Sequence, residues 1–195
     1  WGLGLGLGPG LRPGAMAAPR GCAAPGRRLQ APRVCLGTML FGEGTPEREA
    51  HRMLDAAAER GCTFVDTAEM YPVPQRAATQ GRSEAILGEW MRRRGSRDGT
   101  LVATKVTGPS GQMAWLRGGP LALDAAAIAA ACEASLRRLG TDRIDLLQLH
   151  WPDRYVPMFG EADYDLGRRY ESVVSFEEQL GALGRLVAKA GAFLK

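Results

Sequence analysis

Apolar residues along this chain follow two alternating patterns. Short, continuous apolar runs are typical of strands buried on both faces, and each is followed by a longer segment with apolar residues at helical spacing. The predicted strands are 33–38, 63–66, 101–106 and 144–151, and the predicted helices are 45–61, 83–95, 124–140 and 175–191. Four successive strand–helix units predict a parallel sheet, because each helix carries the chain back to start the next strand in the same direction.

Polar residues and glycines mark the predicted helix ends. The expected N-caps are Thr45, Ser83, Asp124 and Ser175, with Pro46 at the first helical position and Glu178 completing a capping box with Ser175. The expected helix stops are Gly61, Gly95 and Gly140. These signals agree with the apolar spacing, which strengthens the prediction of four βα units.

Two α/β architectures fit this order of elements: an open doubly wound sheet and a (βα)8 barrel of the TIM type. No G-x-G-x-x-G follows the first predicted strand, which disfavours a dinucleotide-binding doubly wound sheet. A complete barrel takes roughly 250 residues. Four units therefore predict (βα)4, the N-terminal half of a (βα)8 barrel.

The first 32 residues differ from the rest in composition. WGLGLGLGPG alternates glycine and leucine, and the glycine, proline, alanine and arginine that follow offer little to pack. We therefore predict a disordered or leader segment at 1–32 and a partial barrel at 33–195. The expected location is cytoplasmic, or plastid or mitochondrial if residues 16–33, rich in arginine and free of acids, act as a transit segment.

Composition and charge exclude several classes of protein. The chain has 195 residues, 45% hydrophobic and 24% charged, and no apolar stretch reaches the roughly 20 residues of a membrane helix. The net charge is +4, but residues 1–33 hold five arginines and no acid, so the remainder carries −1. The body thus lacks the basic surface of a nucleic-acid-binding protein, and we expect neither a nucleic-acid nor a membrane partner.

Cysteine and histidine are too few and too scattered to form a metal site. The four cysteines include no C-x-x-C pair, and there are two histidines, His51 and His150. We expect free thiols, a reducing compartment and no structural zinc.

Ionisable residues follow otherwise apolar strands. Asp66 ends the second predicted strand, Lys105 lies near the end of the third, and His150 follows the fourth, while Tyr71 lies five residues past Asp66. Unpaired charges are costly to bury, and the carboxyl ends of parallel strands open onto the face that holds the active site. We therefore expect these four side chains to converge there.

The segments around these residues resemble the aldo-keto reductase family. The likeness lies in GCTFVDTAEMY (61–71), LVATK (101–105) and DLLQLHWP (145–152), and the longer stretch AEMYPVP…TQGRSEAILGEW resembles its Tas-like branch. The resemblance implies a (βα)8 barrel and the NADPH-dependent reduction of a small-molecule aldehyde or ketone to an alcohol.

By matching motif, the resemblance implies a role for each site residue. Asp66, Tyr71, Lys105 and His150 fall on the family's catalytic tetrad, and Gly37, Thr38, Met39 and Asp66 lie near the cofactor. In this interpretation Tyr71 donates the proton, Lys105 lowers the phenol pKa, Asp66 holds Lys105, and His150 orients the carbonyl. Trp151 either walls the substrate pocket or packs in the barrel.

The chain departs from the family pattern after the fourth helix. Strands five to eight, which in the family hold the nicotinamide and the 2′-phosphate, are not present in this sequence, so we expect a truncated chain that is inactive and marginally stable alone. The strands RVCLGT and IDLLQLHW would be open edges, which favour self-association. A non-catalytic regulatory or interaction protein of the same family is the alternative, since pairing with a partner would also cover those edges.

Overall fold

The residues that the structure describes form four short parallel strands, each followed by a helix. The computed structural model describes residues 31–169 and 174–192. The strands are β1 (Cys35–Gly37), β2 (Phe64–Asp66), β3 (Leu101–Val106) and β4 (Leu146–Leu149), and the helices are α1 (Glu47–Glu59), α2 (Arg82–Arg94), α3 (Ala125–Leu139) and α4 (Phe176–Ala192). Short 3₁₀ turns lie at Arg97–Gly99, Leu116–Gly118 and Leu166–Arg168.

The strands lie in the sheet in the order in which they occur along the chain. The order is β1-β2-β3-β4, and every neighbouring pair is parallel. Consecutive helices also contact one another, α1 with α2, α2 with α3, and α3 with α4. A doubly wound sheet places helices on both faces and reverses its strand order, whereas this single layer has the arrangement of a half-barrel, (βα)4. The predicted fold class is confirmed.

The sheet has two chemically different faces. Leu36, Val65 and Val102 lie in register on neighbouring strands. Val65 and Val102 belong to a buried cluster that includes Leu54 of α1 and Leu87 of α2, and Leu36 packs against this cluster. Successive residues of a strand point to opposite faces. On each strand, the residues directly before and after these three therefore face the inner side of the half-barrel. Polar groups on that inner face therefore need an explanation other than core packing.

Two of the predicted helix caps are wrong. Helix α1 has Pro46 at its N-cap, with extended backbone (ψ 150°) and no side-chain cap, so Thr45 lies one residue too early. Helix α2 starts after Gly81, and the Ser83 hydroxyl is buried, donating to the Thr38 carbonyl 2.8 Å away. Ser83 joins the β1 turn to α2 instead of capping the helix.

The signals at Asp124, Ser175, Gly95 and Gly140 fulfil their predicted roles, but the predicted capping box is wrong, because the Glu178 carboxylate accepts from the Ala125 amide at 3.3 Å and not from Ser175. The Asp124 carboxylate accepts a hydrogen bond from the Ala127 amide at 2.8 Å, and the Ser175 hydroxyl accepts one from the Glu178 amide at 3.1 Å. Gly95 and Gly140 end their helices in left-handed backbone, with φ of 60° and 61°. Left-handed backbone is where glycine avoids a Cβ clash.

The remaining sequence predictions concern the N-terminal segment, the cysteines and membrane-spanning helices. The predicted disordered or leader segment falls almost wholly outside the described residues. Among the described residues, Cys35, Cys62 and Cys132 are free thiols. Cys35 is exposed, and Cys62 and Cys132 are partly buried. No described helix is long and apolar enough to cross a membrane.

Candidate active site

An ion pair between β2 and β3 lies at the carboxyl end of the sheet. Asp66 is the last residue of β2, and the Lys105 ammonium lies 2.5 Å from its Oδ2 and 2.8 Å from the Thr67 carbonyl oxygen. The two side chains are 29% and 14% exposed, so water reaches the pair only in part. The pair fixes a positive group at the mouth of the half-barrel.

Two aromatic rings cover this ion pair. Tyr71, in the loop after β2, is 8% exposed, and its ring meets the His150 ring edge-on with centroids 5.6 Å apart. The Lys105 ammonium lies 5.0 Å from the centre of the Tyr71 ring. His150 directly follows β4, and its amide continues the strand ladder to the Val106 carbonyl at 2.9 Å. The four side chains that the sequence singled out are thus brought together.

The electrostatics of Tyr71 differ from the sequence-based expectation. Burial, and secondarily the Asp66 carboxylate, raise the pKa of Tyr71 above its ordinary value, whereas Lys105 was expected to lower it. The reason lies in the ion pair, because the ammonium is bonded to Asp66 and Thr67 and meets only the ring face of Tyr71. Tyr71 therefore keeps its phenolic proton at neutral pH.

His150 is held in its neutral form. Burial first, then the Lys105 charge, lower the pKa of His150 to about 4, with Asp66 acting in the opposite direction. Its Nδ1 atom is buried and has no hydrogen-bond partner within the described part of the chain. A neutral imidazole carries one N–H donor, which is what orienting a carbonyl oxygen requires.

Sequence reasoning missed Gln148. Its amide nitrogen donates to Asp66 Oδ1 at 3.1 Å, so Asp66 is held by Gln148 on one oxygen and by Lys105 on the other. Lys105 and Gln148 are register partners on β3 and β4. The available signal was a polar residue inside an apolar strand, two positions before His150 and hence on the same face.

The residues predicted to lie near the cofactor differ from one another in solvent exposure. Gly37 is exposed and in register with Asp66, and Met39 is 46% exposed. Thr38 has no accessible surface, and its hydroxyl bonds to the Asp66 carbonyl and the Ser83 hydroxyl. Thr38 therefore connects β1, β2 and α2 beneath this surface, and its side chain does not reach the open face.

Trp151 packs beside the site. Its indole N–H donates to the Pro109 carbonyl at 2.8 Å, and its ring lies between His150 and Phe159 with centroids 4.8 and 5.9 Å away. A Cβ on Gly108 would lie 2.8 Å from the indole nitrogen, so the glycine leaves room for this ring. Trp151 remains half-buried, which leaves both a packing role and a role in the pocket wall open to it.

Comparison with known proteins decides the family. Residues 33–191 match the sequence profile of the Aldo/keto reductase family. The chain belongs to this family. It is 44% identical over 140 residues to Protein tas of Escherichia coli, covering 72% of this chain and 40% of that protein. It is 33% identical over 162 residues to the Escherichia coli methylglyoxal reductase YeaE, covering 83% of this chain and 43% of that protein.

A solved aldo-keto reductase supports the same fold. The holo form of an enzyme from Bacillus halodurans superposes with a TM-score of 0.56 and 27% identity, over 81% of this chain and 43% of that structure. The chain therefore spans about two fifths of the length of these relatives. Family membership supports an oxidoreductase, in agreement with a half-barrel that carries polar groups at its carboxyl end.

The described residues leave room for the nicotinamide cofactor that the family generally uses. A Cβ built on Gly37 would meet nothing within 4 Å, so the surface next to Asp66 is open to a flat ring. The phenol of Tyr71 and the imidazole of His150 are the donors that a carbonyl oxygen needs. No group of three or more metal-ligating side chains occurs among the described residues.

Proposed function

We propose that the protein to which this chain belongs reduces aldehydes or ketones to alcohols, with NADPH as the cofactor. The observation that carries the proposal is the convergence of a neutral phenol, a neutral imidazole and a lysine–carboxylate pair at the carboxyl ends of β2, β3 and β4. Carbonyl reduction needs a proton donor and fixed positive charge at the oxygen as negative charge develops there. The choice of NADPH over NADH rests on the family resemblance.

In this proposal each side chain acts on the carbonyl oxygen or supports one that does. A bound nicotinamide supplies the hydride. Tyr71 donates its proton to the oxygen, and the Lys105 ammonium places a fixed positive charge 5.0 Å from the centre of its ring. His150 donates a hydrogen bond that orients the oxygen. Asp66, held by Gln148, keeps Lys105 in place.

The cofactor would border the open surface on the inner face of β1. Gly37, in register with Asp66, and Met39, two residues later, present accessible surface. Trp151 would contact the substrate from the side of His150, because its ring stacks at a tilt on the imidazole. Thr38 contributes to this surface only by holding Gly37 and Asp66 in register.

We further propose that the 195-residue chain taken alone is inactive and self-associates. Within the described residues, the outer edges of β1 and β4 pair with no strand. Large apolar side chains are exposed, with Val34 beside β1 at 64%, Leu146 in β4 at 36% and Leu180 on α4 at 65%. Open strand edges and apolar patches favour association, and a second copy could pair its β1 with β4.

The test compares the chain with a complete barrel that contains it. The isolated chain is titrated with NADPH by fluorescence and its mass is measured by light scattering. We expect no micromolar affinity and a mass above 20.9 kDa. A monomer that binds NADPH and reduces aldehydes would overturn the second proposal.

The catalytic proposal is tested in a fusion that continues residue 191 with the C-terminal half of Escherichia coli Tas. Reduction of an aldehyde panel with NADPH is expected, and Tyr71→Phe should lower kcat about 10²–10⁴-fold while NADPH affinity stays unchanged. Wild-type turnover in Tyr71→Phe would remove Tyr71 from the acid role. A fusion that binds NADPH but reduces nothing would instead favour the non-catalytic alternative.

A further inference from the structure

A buried glutamate lies in the loop between Asp66 and Tyr71. Glu69 is 1% exposed, although its type is almost never fully buried without a partner. Its amide donates to the Lys105 carbonyl at 3.3 Å, and its carbonyl accepts from the Gln80 side chain at 2.5 Å. The carboxylate accepts from the Thr107 amide at 2.5 Å. Each polar group of Glu69 is thus bonded, two of them to the end of β3.

The charge of Glu69 is matched by Arg117, from the loop between β3 and α3. The Arg117 guanidinium bonds to the Glu69 carboxylate, and its second terminal nitrogen donates to the Thr107 carbonyl at 2.8 Å. The two side chains are 14% and 2% exposed. This two-pronged contact uses the planar fork that distinguishes arginine from lysine.

The backbone of Arg117 supports a specific role for this contact. Its φ of 50° and ψ of 22° place it in the left-handed region, which residues with a Cβ seldom occupy unless the surrounding structure imposes it. The preceding residue, Leu116, packs in the same apolar cluster as Met70 and Tyr71. The β3–α3 loop therefore lies against the Tyr71 loop through both an ion pair and apolar contacts.

We propose that Glu69 and Arg117 are positioning residues that clamp the loop carrying Tyr71 to the end of the strand carrying Lys105. Neither residue contacts the four tetrad side chains through its own charge. Together they fix the loop two residues before Tyr71 to Thr107, two residues after Lys105. The clamp rests on the proposed function for its purpose, but its physical effect on Tyr71 does not depend on turnover.

A second buried ion pair provides a matched control. Arg97 lies 2.9 Å from the Asp145 carboxylate, which also accepts from the Val102 amide at 2.8 Å, and the two side chains are 17% and 6% exposed. Arg97 also donates to the Thr100 carbonyl at 2.7 Å. This pair repeats the chemistry of the clamp at the amino ends of β3 and β4, away from Tyr71.

The experiment compares Arg117→Met with Arg97→Met in the 195-residue chain. Amide hydrogen exchange is followed by mass spectrometry in the peptide that spans residues 66–73. The Tyr71 phenol is titrated by ¹³Cζ-tyrosine NMR, with Tyr71→Phe for assignment. Asp66, Lys105 and His150, the ionisable groups that face Tyr71, are the same in both variants.

We expect Arg117→Met to accelerate exchange in that peptide by at least about tenfold, since local opening no longer breaks a buried ion pair. The Tyr71 pKa should fall towards its ordinary value as water reaches the phenol. Arg97→Met should leave both readouts unchanged even if it lowers overall stability. Arg117→Lys keeps the charge but not the fork, and should give an intermediate result.

Equal effects of Arg117→Met and Arg97→Met on Tyr71, or no effect of either, would overturn the proposal. If Arg117→Met does not fold, the double variant Glu69→Gln/Arg117→Met removes both charges together. In that variant an unchanged Tyr71 pKa and exchange rate would overturn the clamp, and altered values would support it. None of these readouts requires NADPH or carbonyl turnover, so failure of the clamp is distinguishable from failure of the proposed function.

Discussion

His150 gives the sharpest test of the electrostatics at the carboxyl end of the sheet. Burial and the Lys105 charge lower its pKa from 6.5 to about 4. A difference of this size corresponds to about 3 kcal/mol in favour of the neutral imidazole in the folded state. We therefore predict that His150 stays uncharged at neutral pH.

The same difference predicts how stability depends on pH. An unfolded imidazole takes up a proton near pH 6.5, whereas folded His150 does so only near pH 4. Between these values the unfolded state binds more protons, so the free energy of unfolding falls as the pH falls. Above pH 6.5 the imidazole is neutral in both states and does not change the free energy of unfolding. By pH 4 the uptake of a proton by the unfolded state has lowered that free energy by about 3 kcal/mol.

The assay uses the fact that the chain has two histidines. Proton NMR of ¹³C-labelled imidazoles follows both during titration, and His150→Asn identifies the resonance of His150. Urea unfolding of the wild type and of His150→Asn at pH 7 and pH 4.5 separates this group from the carboxylates, which titrate in both proteins. A His150 resonance that titrates near pH 6.5, or equal pH dependence of the two proteins, would refute the reasoning.

Four further predictions concern stability and are measured by urea unfolding. Gly88→Ala places a Cβ 2.4 Å from the Leu139 carbonyl oxygen and should cost about 1–3 kcal/mol. Gly184 lies in open space on α4, so Gly184→Ala should raise the free energy of unfolding by about 0.5–1 kcal/mol. Equal stability of the Gly88→Ala and Gly184→Ala proteins would contradict the close contact between Gly88 and Leu139. Gln148→Leu should cost about 1.5–3 kcal/mol because the Asp66 carboxylate loses a donor, which unchanged stability would disprove. Asp124→Ala should cost about 1 kcal/mol through loss of the α3 cap, and a cost near zero would show that the cap is dispensable.

The sequence predicts the order of elements well because its signals are local and repeated. Apolar spacing and a terminal glycine agree at α2 and α3, and the structure ends both helices at those glycines. The predicted cap at Ser83 was wrong for a tertiary reason. The Ser83 hydroxyl has a stronger use in a buried contact with Thr38 and Thr67 than at a helix end, and that contact spans 45 residues of sequence.

The site could be predicted in its members but not in its electrostatics. Parallel strands bring their carboxyl ends to one edge, so Asp66, Lys105 and His150 converge by topology alone. The direction of the Tyr71 pKa shift depends on where the Lys105 ammonium points, and rotamers leave no trace in sequence. Glu69 and Arg117 are equally hidden, since their pairing joins two loops 48 residues apart.

The inner face of the sheet argues that the ion pair is kept for chemistry rather than for stability. At the amino ends of the strands this face is apolar. Phe64 lies two residues before Asp66 on β2, and Leu146 lies two residues before Gln148 on β4, so each pair points to the same face. Replacing a partly buried ion pair by apolar residues of similar volume is often neutral or stabilising, so packing alone would favour continuing the apolar layer. Lys105 and Asp66 instead keep their charges beneath Tyr71, with Gln148 supplying the donor that the second Asp66 oxygen needs. Charged residues therefore replace apolar ones at the edge where parallel strands open to a ligand. This is the arrangement expected of an active site.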